Sequence, residues 1–397
     1  RGTVVRHGRP TREDGRLPGT SEVGHIAIGS WSGGLHMRFG VPVDEERMVA
    51  LLRPDDALRT VVTADAYGAG AADALVGRAL AGVPRDGYAL VGAVGHDFYE
   101  GARAGAKGYP RFTDPALRGP EGYAAYLRMA VERSLKRCGA DRFDVLLLHN
   151  PDRIGYSSET VWAALASLRD EGLADALGLA PGPANGFTLD VIGCLDRFGA
   201  LIDWAMIILN PFEPWPGRLV LPACARHGVR VIARVVDYGG VFHGDVPDEG
   251  LLPEHDHRAF RPAGWVAEAR SRLARLAPIA RRHGLSTLQL ACQWTLAHEP
   301  VACAAPTLIQ EPGPGARAIE DKRADLAGTP AEVALSPEEV EEIARIGDNT
   351  GCMALKGGTP AHEGEERADS WPLTDDLRRV AERWRIVPER DLVDAGS

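Results

Sequence analysis

The stretch from Arg142 to Pro181 limits the fold most. It reads RFDVLLLHNPD, then a run of helical character, then LADALGLAP. Phe143 to Leu148 is almost continuously apolar and stops at His149-Asn150-Pro151-Asp152. Strands buried on both faces have this composition, with polar residues where they emerge. Ser158 to Asp170 carries Val161, Leu165 and Leu168 at helical spacing. Gly172 stops that helix, and Leu173 to Leu179 reads as another short buried strand. Strand, helix, strand in this order is a parallel βαβ unit. In a barrel of such units His149 stands at the carboxyl end of its strand, the end that carries active sites.

The same alternation runs through most of the chain. Strands are expected at 24–31, 59–64, 88–94, 202–209, 229–236 and 301–307, besides the two above. Helices are expected at 71–80, 123–139, 189–198, 219–227, 265–283 and 287–297, with a further one from Val43 that Asp44 caps. Repeats of this kind predict an α/β chain folded as a (β/α)8 TIM barrel. With 397 residues, 45% of them hydrophobic, the chain is long enough for one large barrel. The expected organisation is an N-terminal arm over 1–22, a barrel over 23–348 and a C-terminal extension over 349–397 that packs on the barrel. Cys352, Met353, Leu355, Trp371, Leu377 and Trp384 make that extension too apolar for a disordered tail.

Charge and composition exclude several partners. The formal net charge is −10 and the Lys/Arg residues form no long cluster, which argues against nucleic acid. No apolar run approaches the ~20 residues of a membrane span. The six cysteines are scattered with no CxxC pair. Together with the lack of a visible signal-peptide pattern, this predicts reduced, buried thiols in a cytoplasmic protein. A small-molecule substrate is the expected partner, and a homo-oligomer is left open. His255-Asp256-His257 is read as capping the long loop over 241–264, so no metal is expected.

Specific motifs then carry a resemblance. The segment VTADAYGAG from Val62, the strand YALVGAV from Tyr88 and the strand ending LLLHN at Asn150 resemble the aldo-keto reductase superfamily. The resemblance extends over residues 23–348 and is nearest the branch of aldose-type sugar dehydrogenases. It implies a barrel of aldo-keto reductase type with a tetrad of Asp, Tyr, Lys and His. Here those positions hold Val62, Tyr67, Ala93 and His149. The resemblance also implies NADP(H). At the strand-5 end, however, the usual Ser-Asn is Ala180-Pro181, and Arg234 to Tyr238 replace YSPLG. Arg317, Glu320 and Asp321 match the family's adenosine-phosphate motif, while its preceding Lys-Ser is absent. Phe212 is the candidate to stack on a nicotinamide.

The two lost tetrad residues belong together. A free tyrosine has a pKa near ~10, and in the family the lysine ammonium stabilises its phenolate while the aspartate holds the lysine. Losing the lysine alone would leave a buried carboxylate unpaired, which costs several kcal/mol. Both replacements are apolar, so the site reads as remodelled. Without the lysine Tyr67 stays neutral and still donates a proton or a hydrogen bond. Candidate substrate contacts at the mouth are Trp31, His96, Asp152, Glu213, Trp215, Arg234, Asp237 and Tyr238, with Glu213 or Asp237 as a base and Arg234 on an anionic group. Three readings follow. One is non-redox acid–base chemistry of lyase, dehydratase or isomerase type on an oxygenated substrate, using Tyr67 and His149 with no cofactor. Another is an NADP-dependent reductase or dehydrogenase with an atypical site. The third is a non-catalytic ligand-binding barrel.

Overall fold

The protein is described from a computed structural model over residues 22–103, 108–182, 188–261, 263–349 and 373–392. Strand β1 (Ala27–Gly29) precedes helix α1 (Glu45–Leu52), which Asp44 caps by accepting from the Arg47 N–H at 2.8 Å. β2 (Thr60–Ala64) enters α2 (Ala71–Leu80) through a short 3-10 turn at Tyr67–Gly70. Next come β3 (Ala89–Val94), α3 (Tyr123–Cys138) and β4 (Phe143–His149). Gly139 closes α3 at φ 64°, a left-handed conformation that a Cβ would penalise. A one-turn helix α4 (Arg153–Ser157) precedes α5 (Glu159–Asp170), which Ser158 caps, and β5 (Ala174–Ala180).

The second half repeats the plan. It runs α6 (Thr188–Phe198), β6 (Trp204–Ile208), α7 (Leu221–His227) and β7 (Arg230–Arg234). A long loop with short 3-10 turns leads to α8 (Trp265–Arg282) and α9 (Thr287–Leu296). β8 (Val301–Ala305), α10 (Ile319–Ala327) and α11 (Pro337–Ile346) complete the barrel. Helices α12 (Asp375–Trp384) and α13 (Pro388–Asp391) follow.

All eight strands pair in parallel, in sequence order. A parallel bridge between Ile26 and Ala304, with the Ala304 N–H donating to the His25 carbonyl at 2.8 Å, joins the first strand to the last. The sheet is therefore a closed (β/α)8 barrel. Two apolar layers follow from the alternation of strand side chains. Ile28, Val61, Leu90, Leu146, Leu148, Leu177 and Leu179 pack outward against the helices. Ala27, Val62, Val91, Val145, Leu147, Trp204, Ile232 and Cys303 fill the interior.

Several expected strands prove shorter. β1 holds three residues where 24–31 was expected, and β6 begins at Trp204 rather than at 202. In each case apolar residues continue past the point where the backbone leaves the ladder. Arg317 lies just ahead of α10, while Glu320 and Asp321 stand in its first turn. Residues 1–21 and 350–372 fall outside the described residues, so the arm, Cys352, Met353, Leu355 and Trp371 do too. The described cysteines, Cys138, Cys194, Cys224, Cys292 and Cys303, are all unbridged and buried. No described helix is long and apolar enough to cross a membrane.

Helix α12 packs on α6, in the outer helical layer. Asp196 of α6 anchors it, accepting from Trp384 Nε1 at 3.2 Å and pairing with Arg383, while His227 bonds its other oxygen at 3.0 Å. A cleft of about 380 Å³ lined by Asp190, Arg197, Leu377 and Arg379 lies between the two helices. Among the described residues, the extension thus meets the barrel's flank, and α12 does not roof its mouth.

Candidate active site

Strand alternation decides which side chains meet at the barrel mouth. Val62 and Ala64 on β2, Ala93 on β3 and Ala180 on β5 all belong to the interior cluster. His149 follows Val145 and Leu147 by period two, so it shares their inward face. Arg234 follows Ile232 in the same way, flanked in register by Ile208 on β6 and Ala305 on β8. Ala64, Ala93, Ala180 and Ala305 thus line the upper interior, where barrels usually carry bulky branched residues.

Trp31 and Tyr67 pack on this cluster from the loops. Their rings meet edge-to-face at 6.5 Å, and Tyr67 meets His149 at 5.7 Å with the planes 88° apart. His96 lies edge-on to His149 at 5.1 Å. The rings of Trp31, Tyr67, His149 and His96 are therefore brought together over an interior wall that includes the apolar Val62 and Ala93.

His96 has a defined hydrogen-bonding role. Its Nε2 lies 3.0 Å from Asn150 Nδ2, and its Nδ1 lies 3.0 Å from the Tyr109 carbonyl oxygen. Arg111 Nη1 stands 3.1 Å from that nitrogen, and its Nε donates to the Asn150 carbonyl. Burial, then the Arg111 charge, lowers the His96 pKa to about 3. His149 is held well below its ordinary value by burial, then by His96, Arg111 and Arg234. Both imidazoles are neutral at pH 7. His149 is 7% exposed, and its Nδ1 has no hydrogen-bond partner among the described residues. Burial raises the Tyr67 pKa and the Arg234 charge opposes that rise. Arg234 Nη2 donates to the Pro181 carbonyl at 2.9 Å.

The mouth carboxylates expected to meet substrate are committed to the scaffold instead. Glu213 is ion-paired to Arg261 at 2.9 Å and accepts from Asn210 Nδ2 at 2.9 Å. Asp237 accepts the Thr307 N–H at 2.6 Å and the Gly240 N–H at 2.8 Å, tying the β7 loop to the β8 loop. Asp152 caps α4 through the Gly155 N–H at 2.7 Å and accepts from Thr113 at 2.8 Å. Neither Glu213 nor Asp237 is placed as a base. Tyr238 belongs to an aromatic cluster with Phe212 at 5.3 Å and Trp265 at 6.0 Å, and Arg261 covers its ring. Trp215 is buried, with its backbone bonded to the Asn349 side chain. Asp65 faces away from the interior, toward Asp73 and Arg137, as its offset from Val62 requires.

The side on which a nucleotide is expected is likewise internally bonded. Phe212 packs on Phe242 at 4.7 Å as well as on Tyr238. Arg317 donates its N–H to Asp245 at 2.8 Å and Nη1 to the His243 carbonyl at 3.0 Å. Glu320 binds Arg47 at 2.8 Å, and Asp321 is exposed in the first turn of α10. Lys322, which the sequence did not single out, is fully buried against Asp245 at 2.7 Å. Arg258, also unexpected, clamps Asp256 at 2.8 Å and Glu311. Asp256 further accepts the Gly40 N–H at 2.8 Å. No group of His, Cys, Asp and Glu suited to a metal ion occurs among the described residues. His255 is exposed beside Glu254, and His257 bonds the Arg38 carbonyl.

The sequence model of the Aldo/keto reductase family matches residues 25–346. The chain belongs to the aldo-keto reductase family. Curated relatives include a D-threo-aldose 1-dehydrogenase of Pseudomonas sp, 25% identical over 293 residues, which span 68% of this chain and 81% of the relative. A probable aldo-keto reductase 1 of Glycine max is 27% identical over 240 residues, 59% of this chain and 62% of that protein. Among solved structures, the glycerol dehydrogenase of Gluconobacter oxydans superposes with a TM-score of 0.62 at 22% identity, over 83% of this chain and 94% of that one. An aldo-keto reductase of Klebsiella pneumoniae in complex with NADP and acetate gives 0.51 at 22% identity, over 81% and 90%. These likenesses fix this aldo-keto reductase's barrel.

Proposed function

We propose that this aldo-keto reductase is a small-molecule enzyme that works by acid–base chemistry on an oxygenated substrate at Tyr67 and His149. The observation that carries the reading is the meeting of their rings at 5.7 Å beside an apolar Val62 and Ala93. Tyr67 is neutral and placed to donate to a substrate oxygen. His149 is neutral and exchanges a hydrogen bond or a proton with the same substrate. Arg234 supplies the positive charge nearest Tyr67. Lyase, dehydratase and isomerase steps need no more than such a pair.

A nicotinamide nucleotide does not fit the residues present. The Thr307 and Gly240 N–H groups, which could receive a phosphate, already bind the Asp237 carboxylate. Arg317 is turned onto His243 and Asp245, and Ala180-Pro181 offers no side-chain amide or hydroxyl. A second reading, an NADP-dependent oxidoreductase, is favoured by the names of the relatives and by the NADP complex of the Klebsiella protein.

The test is cofactor-free. Small hydroxy and oxo compounds are incubated with enzyme in heavy water, and NMR follows turnover and exchange of protons next to the carbonyl. Tyr67→Phe and His149→Ala should each slow the reaction by about 10²–10⁴-fold. Wild-type rates in both variants would remove the acid–base reading. Carbonyl reduction that consumes NADPH would establish the second.

A further inference from the structure

We propose that the cleft between α6 and α12 is a second small-molecule site and that it takes a short primary alkylammonium ion, its nitrogen on the Asp190 carboxylate. This site lies on the barrel's flank and is independent of the chemistry at the mouth.

Helical spacing builds the cleft. Asp190, Gly193, Cys194 and Arg197 follow one another at i, i+3, i+4 and i+7, so they share one face of α6. Asp376, Val380 and Arg383 repeat that spacing on α12, with Leu377 beside them. Gly193 keeps the space open: a Cβ there would already touch Val380 Cγ2 at 3.4 Å, and anything larger would enter the cleft. Tyr156 and Ser157 of α4, which also packs on α6, complete the lining. The volume of about 380 Å³ is in the range of small-molecule pockets.

The charges around the cleft leave one group poorly matched. Arg197 pairs with Glu159 at 2.8 Å, Arg379 with Asp376, and Arg383 with Asp196. Asp196 is also bonded to His227 and Trp384. Asp190 is 9% exposed, and its ion pair among the described residues is with Arg153, whose Nε stands 3.8 Å away. That separation is beyond hydrogen-bond reach. Arg153 is not one of the residues that line the cleft, whereas Asp190 is. Burial raises the Asp190 pKa to about 6 and Arg153 opposes the rise, so the group is mostly ionised at pH 7. A buried carboxylate so loosely paired gains most from a charged donor at hydrogen-bond distance. A primary ammonium brings that charge with three N–H donors in a small volume. Gly193, Cys194, Leu377 and Val380 give its alkyl chain an apolar wall. An anion finds no comparable place, since each guanidinium of the lining already holds a carboxylate.

Calorimetry on the whole protein at pH 7 tests this with n-butylammonium against 1-butanol and butanoate, which keep the chain and change the charge. The ammonium should bind saturably with a Kd of about 1–10 mM. The alcohol and the acid should be weaker by about tenfold or more. Asp190→Asn should weaken the ammonium by at least about tenfold. Val380→Phe, which fills the cleft from α12 and leaves its charges alone, should do the same. Thermal melts establish that both variants are folded. His149→Ala should bind the ammonium as wild type does, which separates this site from the barrel mouth. Affinity for the alcohol or the acid as high as for the ammonium would overturn the proposal. So would unchanged binding in Asp190→Asn or Val380→Phe, loss of binding in His149→Ala, or no binding of the ammonium at about 50 mM.

Discussion

Val62 and Ala93 sit on neighbouring strands of the interior wall, with Val62 opposite Val91 and Ala64 opposite Ala93. Placing a lysine at Ala93 alone would bury an ammonium with no carboxylate beside it. Ala93→Lys should therefore destabilise the protein by about 3 kcal/mol. Val62→Asp combined with it should recover part of that loss, which urea denaturation of the single and double variants would show as a coupling. Simple additivity would mean that the two positions do not communicate. His96 makes a separate prediction through pH. Its folded pKa, about 3, is depressed below the ordinary 6.5. A depressed histidine stabilises fully above the unfolded value and loses that contribution as pH falls through the range below it. The advantage of wild type over His96→Gln should shrink by about 2 kcal/mol between pH 6.5 and 5. A gap independent of pH would contradict the buried, neutral imidazole.

At this scale the sequence was informative where chemistry is carried by position along a strand. His149 and Arg234 could be placed at strand ends because period two fixes the face, and Tyr67 through the motif that follows β2. Glu213 and Asp237 could not be interpreted, because the decision lies with partners far along the chain: Arg261 for one, the Thr307 N–H for the other. Arg111 carries no sequence signal, since an isolated antiparallel bridge to His96, outside any strand, brings it to the site.

Among the elements, the β4–α5–β5 unit was legible because an apolar run, a capped amphipathic helix and a glycine stop agree on one structure. Helix α4 was missed: five residues, with only Ile154 and Tyr156 large and apolar, are too few to show a helical period, and the Asp152 cap marks the start. The loop between β7 and α8 read as irregular, yet it is organised by buried ion pairs. Arg258 holds Asp256 and Glu311, and Arg261 holds Glu213. Such pairs contribute little net stability against an apolar alternative, but breaking one strands a buried charge. Arg261→Ala should cost about 3–5 kcal/mol, and the additional Glu213→Gln should restore much of it. Chemical denaturation of the pair would read this directly. A loss below about 1 kcal/mol would show that water reaches Glu213 in the folded protein.

For the whole molecule, the barrel was evident from eight repeats, and the family follows from the match over 25–346. Membership gives the scaffold, while the chemistry is set by a handful of mouth residues, as it is throughout barrels of this kind. The proposed acid–base reading rests on an apolar wall that includes Val62 and Ala93 and on loop N–H groups already bonded to the Asp237 carboxylate. NADPH titration of the purified protein, followed by nicotinamide fluorescence and calorimetry, tests that account most directly. The account predicts no saturable binding up to about 1 mM nucleotide. Binding at about micromolar concentration, with oxidation of NADPH when carbonyl compounds are added, would contradict it.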